Sequence, residues 1–339
     1  MRKMHAPLRM RRCRGSRSVG GRFGVAALFL GLVGTSPLHA QGAIDPNVAP
    51  RAAALDREGE RQMAIDLLGR YLATAPDDGR AWVQLGRFYL LNARDWHLHG
   101  HRGDPDGPLY LDFAATTLDQ SLRLSVDSGI VLRGATEVER ALIVLEDSGW
   151  TAGRYSRAGP GAPPMPTYIV ELGANLLGSC PSGGVLVTGS DLEALSVWYG
   201  GLESSHSGII PVRPALYATD SLYRMRMAAA MGVDPSLPVQ RALATVATSR
   251  PLCLSPGTDT AAAPPLAWVP FRLVRVSAST TTGSGVFSIT ELLKAARSSD
   301  SPWVQDVRGV YDAAARQNAL LCSSLFLLFG DAPPPACRP

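Results

Sequence analysis

The sequence predicts an α plus α/β protein: a signal peptide, an array of helical hairpins, then a mainly parallel α/β sheet domain closed by C-terminal helices. Three observations carry this expectation. A basic leader runs into a short apolar stretch, residues 45–147 repeat their apolar positions at helical spacing, and beyond a Pro/Gly-rich link short apolar runs alternate with helical segments. The boundaries that follow are 1–40 for the signal peptide, 41–150 for the helical array with an inserted loop at 93–108, 151–166 for the link, 167–280 for the α/β domain, 281–330 for the C-terminal helices and 331–339 for a tail.

The leader comes first. Residues 1–22 carry eight Lys or Arg and no acid; residues 23–34 are apolar; small residues then lead to Ala40. That order is the layout of a secretory signal, and twelve apolar residues fall short of the ~20 that span a membrane. Cleavage after Ala40 is expected, and with it an exported location, periplasmic or extracellular. Arg11-Arg12 invites a twin-arginine reading, which the following Cys13-Arg14-Gly15 does not continue. Removing the eight basic residues from 33 leaves 25 against 29 acidic ones, a net charge of −4. The basicity of the precursor therefore belongs to the leader, and no nucleic-acid partner is expected. No later run is long and apolar enough to span a bilayer; the nearest, 319–329, reads as a buried helix.

Four cysteines follow residue 40: Cys180, Cys253, Cys322 and Cys337. In an oxidising compartment they permit two disulfides in three pairings, or they remain buried thiols. Cys322–Cys337 would staple the Pro-rich tail.

In the helical region, a helix is expected over 52–71, a second over 81–90, and others at 110–124 and 136–145. Trp82, Leu85, Gly86 and Tyr89 resemble the first helix of a tetratricopeptide repeat, and one period of 34 residues earlier Ala64 takes the small position of a second helix, with Pro76 closing the repeat. Small residues there let two helices approach; large aromatics fill the neighbouring groove. The resemblance implies a concave surface for a protein partner.

The inserted loop contains His97, His99 and His101 with Asp104 and Asp106. Alternate imidazoles on an extended segment would face one side and suit Zn²⁺, whereas the loop's Gly and Pro also fit a plain polar surface turn. Beyond this metal alternative no cofactor is expected.

In the α/β region, apolar runs at 185–187, 208–212, 252–254 and 269–276 alternate with helices at 192–202, 221–231 and 237–249. Ligands gather at the carboxyl ends of such strands, where Thr188-Gly-Ser-Asp191-Leu-Glu193 stands. Asp191 and Glu193 admit two readings. They cap the following helix and answer its dipole, or they are acid/base groups or hold a cation or sugar hydroxyls, with Trp198 or Tyr199 as a stacking wall instead of packing residues. Residues 185–188, Asp191, Glu193 and Trp198-Tyr199 resemble the soluble C-terminal domain of a bacterial multi-pass membrane-protein family grouped with protein O-mannosyltransferase-like glycosyltransferases. The likeness extends over about 165–280, with Leu222 standing where the family has Trp. It implies an α/β fold, an envelope-glycan setting and a possible glycan ligand at Thr188, Asp191, Glu193, Trp198 and Tyr199. The membrane-embedded part of that family has no counterpart here, so transferase activity is not implied.

Other constellations point to no chemistry. Ser204-Ser-His206 puts a serine next to a histidine without building a nucleophile–base pair, a Cys180–His206 dyad has no pattern behind it, and 178–184 lacks a phosphate-loop ending. Ser288 and Glu291 form a capping box opening a helix to about Arg297, and a longer helix is expected over 302–329. The expected function is that of a non-catalytic interaction protein. A ligand-binding protein or glycan-acting enzyme at 188–193, or metal capture at 97–106, is the alternative.

Overall fold

The computed structural model describes residues 45–99, 106–151, 164–203, 208–277, 287–329 and 337; the leader, His101, Asp104 and Ser204–His206 lie outside them. Helices α1 (Val48–Arg57), α2 (Arg61–Leu72), α3 (Gly79–Leu98), α4 (Asp106–Arg123) and α5 (Ser128–Ser148) come first. Then follow α6 (Thr167–Ser179), β1 (Val185–Val187), α7 (Asp191–Glu203), β2 (Ile210–Val212), α8 (Pro214–Thr219), α9 (Ser221–Met231), α10 (Val239–Ala247) and β3 (Leu252–Leu254). The hairpin β4 (Val269–Phe271) and β5 (Val274–Val276) completes the sheet, and α11 (Thr290–Ser298), α12 (Pro302–Gln317) and α13 (Cys322–Phe329) end the described chain.

Antiparallel neighbours α3 and α4 make the closest pair of the helical half, and Gly86 sits where a Cβ would strike the Leu118 side chain at 2.6 Å. Ala64 and Leu85 are buried, Trp82 and Tyr89 half-buried, and Pro76 exposed, its carbonyl accepting from Trp82 Nε1 at 2.8 Å. The single helix expected over 52–71 is two, because Gly59 turns the chain with φ +87°, a conformation that L side chains resist. The inserted loop begins later than expected, since α3 runs on through Leu98. A buried stripe of Leu90, Ala93 and His97 sustains it.

The sheet is small and mixed, in the order β2-β1-β3-β5-β4. β1 pairs in parallel with β2 and β3, whereas β5 is antiparallel to β3 and β4. A mainly parallel sheet therefore holds only for the first three strands. The run 269–276 folds as a hairpin because Arg272 (φ 48°) opens a two-residue turn of the left-handed kind. Strands β1 and β3 are apolar on both faces and fully buried, as strands covered on both sides must be.

One core runs from Leu90 through α4, α5 and the sheet to Leu325, past the Pro/Gly-rich link; a smaller one joins α1, α2 and the front of α3. Helix α6 meets α7 at backbone distance, where a Cβ on Gly173 would lie 1.7 Å from the Ser196 carbonyl and one on Gly200 2.6 Å from Ala174 N. Helix α12 packs against α5, α6 and α7, and Trp303 Nε1 donates to Ser128 O at 3.0 Å. The expected 302–329 helix breaks at Asn318 (φ −141°), whose side chain caps the following turn. The capping box at 288–291 does not close. Glu171 of α6 takes the free amides of Glu291 and Leu292 instead, while Glu291 turns to Thr167 and Lys294. Disulfides join Cys180 to Cys253, 73 residues apart, and Cys322 to Cys337, 15 apart. By loop closure they contribute about 4 and about 3 kcal/mol. Among the described residues no helix is long and apolar enough to cross a membrane.

Two glycines test the packing. Gly173→Ala should lower stability by about 1–3 kcal/mol or more, because backbone must move to admit one methyl. Gly69→Ala, on an exposed turn of α2 with nothing within 4 Å, should raise it by about 0.5–1 kcal/mol. Urea midpoints of the two variants check the contrast.

Candidate functional site

The Asp-x-Glu pair after β1 divides into two roles. Ser190 is the cap of α7: its Oγ accepts the Glu193 N–H at 3.2 Å, and Glu193 Oε2 accepts the Ser190 N–H at 2.9 Å, a reciprocal capping box. Glu193 also accepts from Gly189 N at 3.1 Å, Ser255 Oγ at 2.7 Å and Gly257 N at 2.8 Å. It is completely buried. The loops after β1 and β3 touch here, with Gly189 so close to Gly257 that a Cβ would fall 2.1 Å from its carbonyl. The Glu193 carboxylate therefore ties two adjacent strand ends together, and nothing of it faces solvent.

Asp191, two residues earlier and on the other side of the helix, points outward. It accepts from Arg94 at 2.7 Å and Arg213 at 2.9 Å, with 54% of its side chain exposed. Exposed pairs of this kind contribute up to about 1 kcal/mol. Both arginines continue inward to Glu139 of α5, at 3.1 Å each. Glu139 also meets His97 Nδ1 at 3.4 Å, and His97 Nε2 meets Glu146 at 2.8 Å. Burial alone would raise the pKa of Glu139, but Arg213, His97 and Arg94 overcome it and hold the carboxyl far below its ordinary range. Tyr223, whose hydroxyl accepts from Arg213 N at 3.0 Å, is pushed up to about 12 chiefly by burial.

The elements explain the convergence. Arg94 and His97 are three apart on the inner face of α3, and Glu139 and Glu146 seven apart on the inner face of α5. Arg213 follows β2 directly, at the start of α8, and Asp220 caps α9 by accepting from Leu222 N and Tyr223 N, both at 2.8 Å through Oδ1. His97, Glu146 and Asp220 each bring one ligand atom within 4.8 Å of the others, and all three are buried. Among the described residues these have the geometry to hold a metal.

Of the expected metal set, His97 belongs to this cluster. His99 is exposed and bonds Asp95 O through Nδ1 at 2.6 Å, and Asp106 is exposed in the first turn of α4. His97 and His99 do not share one side, because the backbone at 97–98 is helical and residues two apart point away from each other; His101 and Asp104 lie outside the described residues. Thr188 and Asp191 line a cleft of ≈ 400 Å³ with Ser190, Arg213, Thr258 and Asp259 at the carboxyl ends of β1, β2 and β3. Trp198 and Tyr199 do not form its wall. Trp198 packs edge-on against Trp150 at 6.4 Å between centroids, and the Tyr199 hydroxyl donates to Gly134 O at 3.3 Å. Sequence reasoning missed Arg94, Glu139, Glu146, Arg213 and Asp220. A signal existed for two of them: Glu139 and Glu146 interrupt the apolar stripe Val138, Leu142, Leu145 at a seven-residue spacing.

Glu139→Gln should cost about 3–5 kcal/mol, since it leaves two arginines facing a buried neutral amide. Asp191→Asn should cost less than about 1 kcal/mol and Ser190→Ala about 1 kcal/mol. Chemical denaturation of the three variants measures the ranking. The chain matches no protein-family model, no curated protein and no solved structure.

Proposed function

We propose that the chain is an exported, non-catalytic protein-interaction protein whose helical half is a tetratricopeptide-like array that docks a partner, in an envelope-glycan or secretion setting. The observation that carries the non-catalytic reading is Glu193. The acid at the centre of the 188–193 turn is buried and accepts from four groups of the protein, so its place is to hold the fold and not to face a substrate. Further support comes from both halves. The approach of Gly86 to α4 and the buried Ala64 suit paired repeat helices, and two disulfides take up the four cysteines beyond the leader, as an oxidising compartment favours. On α4, Leu109 and Phe113 are one turn apart and 45% and 42% exposed, and the Phe113 ring packs tilted against Tyr89 of α3, 5.2 Å between centroids. That apolar ridge is the surface on which a partner would rest.

A second reading keeps the cleft beside Asp191 as a binding site for a glycan. The half-exposed carboxylate, Thr188, Ser190 and Thr258 offer sugar hydroxyls a ring of polar groups at strand carboxyl ends.

A photo-crosslinker at position 116, exposed on α4 one turn beyond Phe113, should capture one protein reproducibly in cells with the full chain. Leu109→Asp with Phe113→Asp should abolish capture without lowering Tm, while Asp191→Asn leaves it intact. Turnover of a substrate by the purified processed chain overturns the proposal, as does capture indifferent to the ridge. Binding of an oligosaccharide that Asp191→Asn removes selects the second reading.

A further inference from the structure

We propose that His97, Glu146 and Asp220 are the ligands of a structural divalent-cation site, with Zn²⁺ the ion its donors suit, buried where the helical half meets the start of α9. The proposal is independent of the docking function, since it concerns what holds this seam together.

Three features point to an ion. The first is convergence. One imidazole nitrogen and two carboxylate oxygens, from α3, α5 and the cap of α9, lie within 4.8 Å of one another, and the three residues are 2%, 1% and 2% exposed. Ligand atoms around a tetrahedral zinc with bonds of ~2.0 Å stand roughly 3.3 Å apart. The 2.8 Å from His97 Nε2 to Glu146 and the 4.8 Å limit bracket that value, so small side-chain rotations close the shell.

The second feature is how the ligands are held. A metal-binding histidine commonly has its other ring nitrogen on a carboxylate, which fixes the tautomer and aims the ring. His97 Nδ1 faces Glu139, itself fixed by Arg94 and Arg213, and this leaves Nε2 directed at Glu146. Asp220 is held in the same sense: the amides of Leu222 and Tyr223 take Oδ1 and set the plane of the carboxylate.

The third feature is charge. Two buried carboxylates whose oxygens lie within 4.8 Å of each other repel. A divalent ion between them offsets that repulsion. An imidazole among the donors favours zinc over magnesium or calcium, which select oxygen.

The test uses the full processed chain without a His tag, stripped with chelator and then titrated with ZnCl₂, with MgCl₂ as the control. Elemental analysis should give about one equivalent of zinc, and Tm should rise with zinc and not with magnesium. Asp220→Asn, which keeps the helix cap because Asn also caps, should weaken zinc affinity at least ~10-fold, and Glu146→Gln should do the same. His99→Gln with His101→Gln should leave uptake unchanged. Folded wild-type protein that takes up less than about a tenth of an equivalent overturns the proposal. Undiminished affinity in Asp220→Asn, or loss of uptake in the double loop variant, also overturns it.

Discussion

The Glu139 carboxylate is the constraint on which the rest of the arrangement depends. It comes from α5, it is 2% exposed, and its partners come from α3 and from the end of β2. A carboxylate taken out of water loses several kcal/mol of hydration, which only well-placed opposite charge restores. Arg94, His97 and Arg213 restore it, and each can do so only when its own element is docked. The helical half and the sheet are thus coupled through a charge that is tolerable in one register. Apolar packing across the same seam, Trp150 on Trp198 for instance, adds affinity between the halves but tolerates sliding that the ionic contacts do not.

The same physics separates two neighbouring acids of α7. Asp191 and Glu193 are two residues apart, about 200° around a helix, so they cannot serve one site from one face. Glu193 points between two strand ends, where backbone N–H groups need an acceptor. Asp191 points to the seam, where the arginines have donors to spare after Glu139. A motif that looks like a catalytic pair in one dimension is a loop staple and the outer end of an ion chain in three.

Local chemistry made part of this legible. Helix α9 forms at the expected 221–231, and the structure supplies the reason for its ends: Asp220 caps it and Gly232, at φ 74°, stops it. The strands at 185–187 and 252–254 were readable as short apolar runs between turns. Helix α6 was not, because its residues are buried nearly all round, from Ile169 and Leu172 to Asn175 and Ser179, so no polar face marked its period. The breaks at Gly59 and Asn318 and the turn at Arg272 were lost for another reason, since a single backbone angle outweighs an apolar pattern that continues across it. The ion chain was the least legible feature. Its links join residues 45, 74 and 97 positions apart, and no local spacing encodes a partner at that distance. Only the interruption of an apolar stripe by Glu139 and Glu146 betrayed that something charged must meet them.

The shared arginine has a last consequence. Arg213 lines the cleft through one face and holds Glu139 through another, so the cleft and the buried cluster are not independent. An acidic occupant of the cleft would draw on Arg213 in competition with Asp191, which is exposed and readily replaced, before it competed with Glu139, which is not. The exposed half of the ion chain is therefore the adjustable half. By linkage, whatever loosens Asp191 from the arginines favours an anionic occupant by the same free energy with which that occupant loosens Asp191. A neutral polar occupant needs no such exchange and would leave the chain as it stands, with Asp191 free to accept hydroxyl groups through its exposed edge.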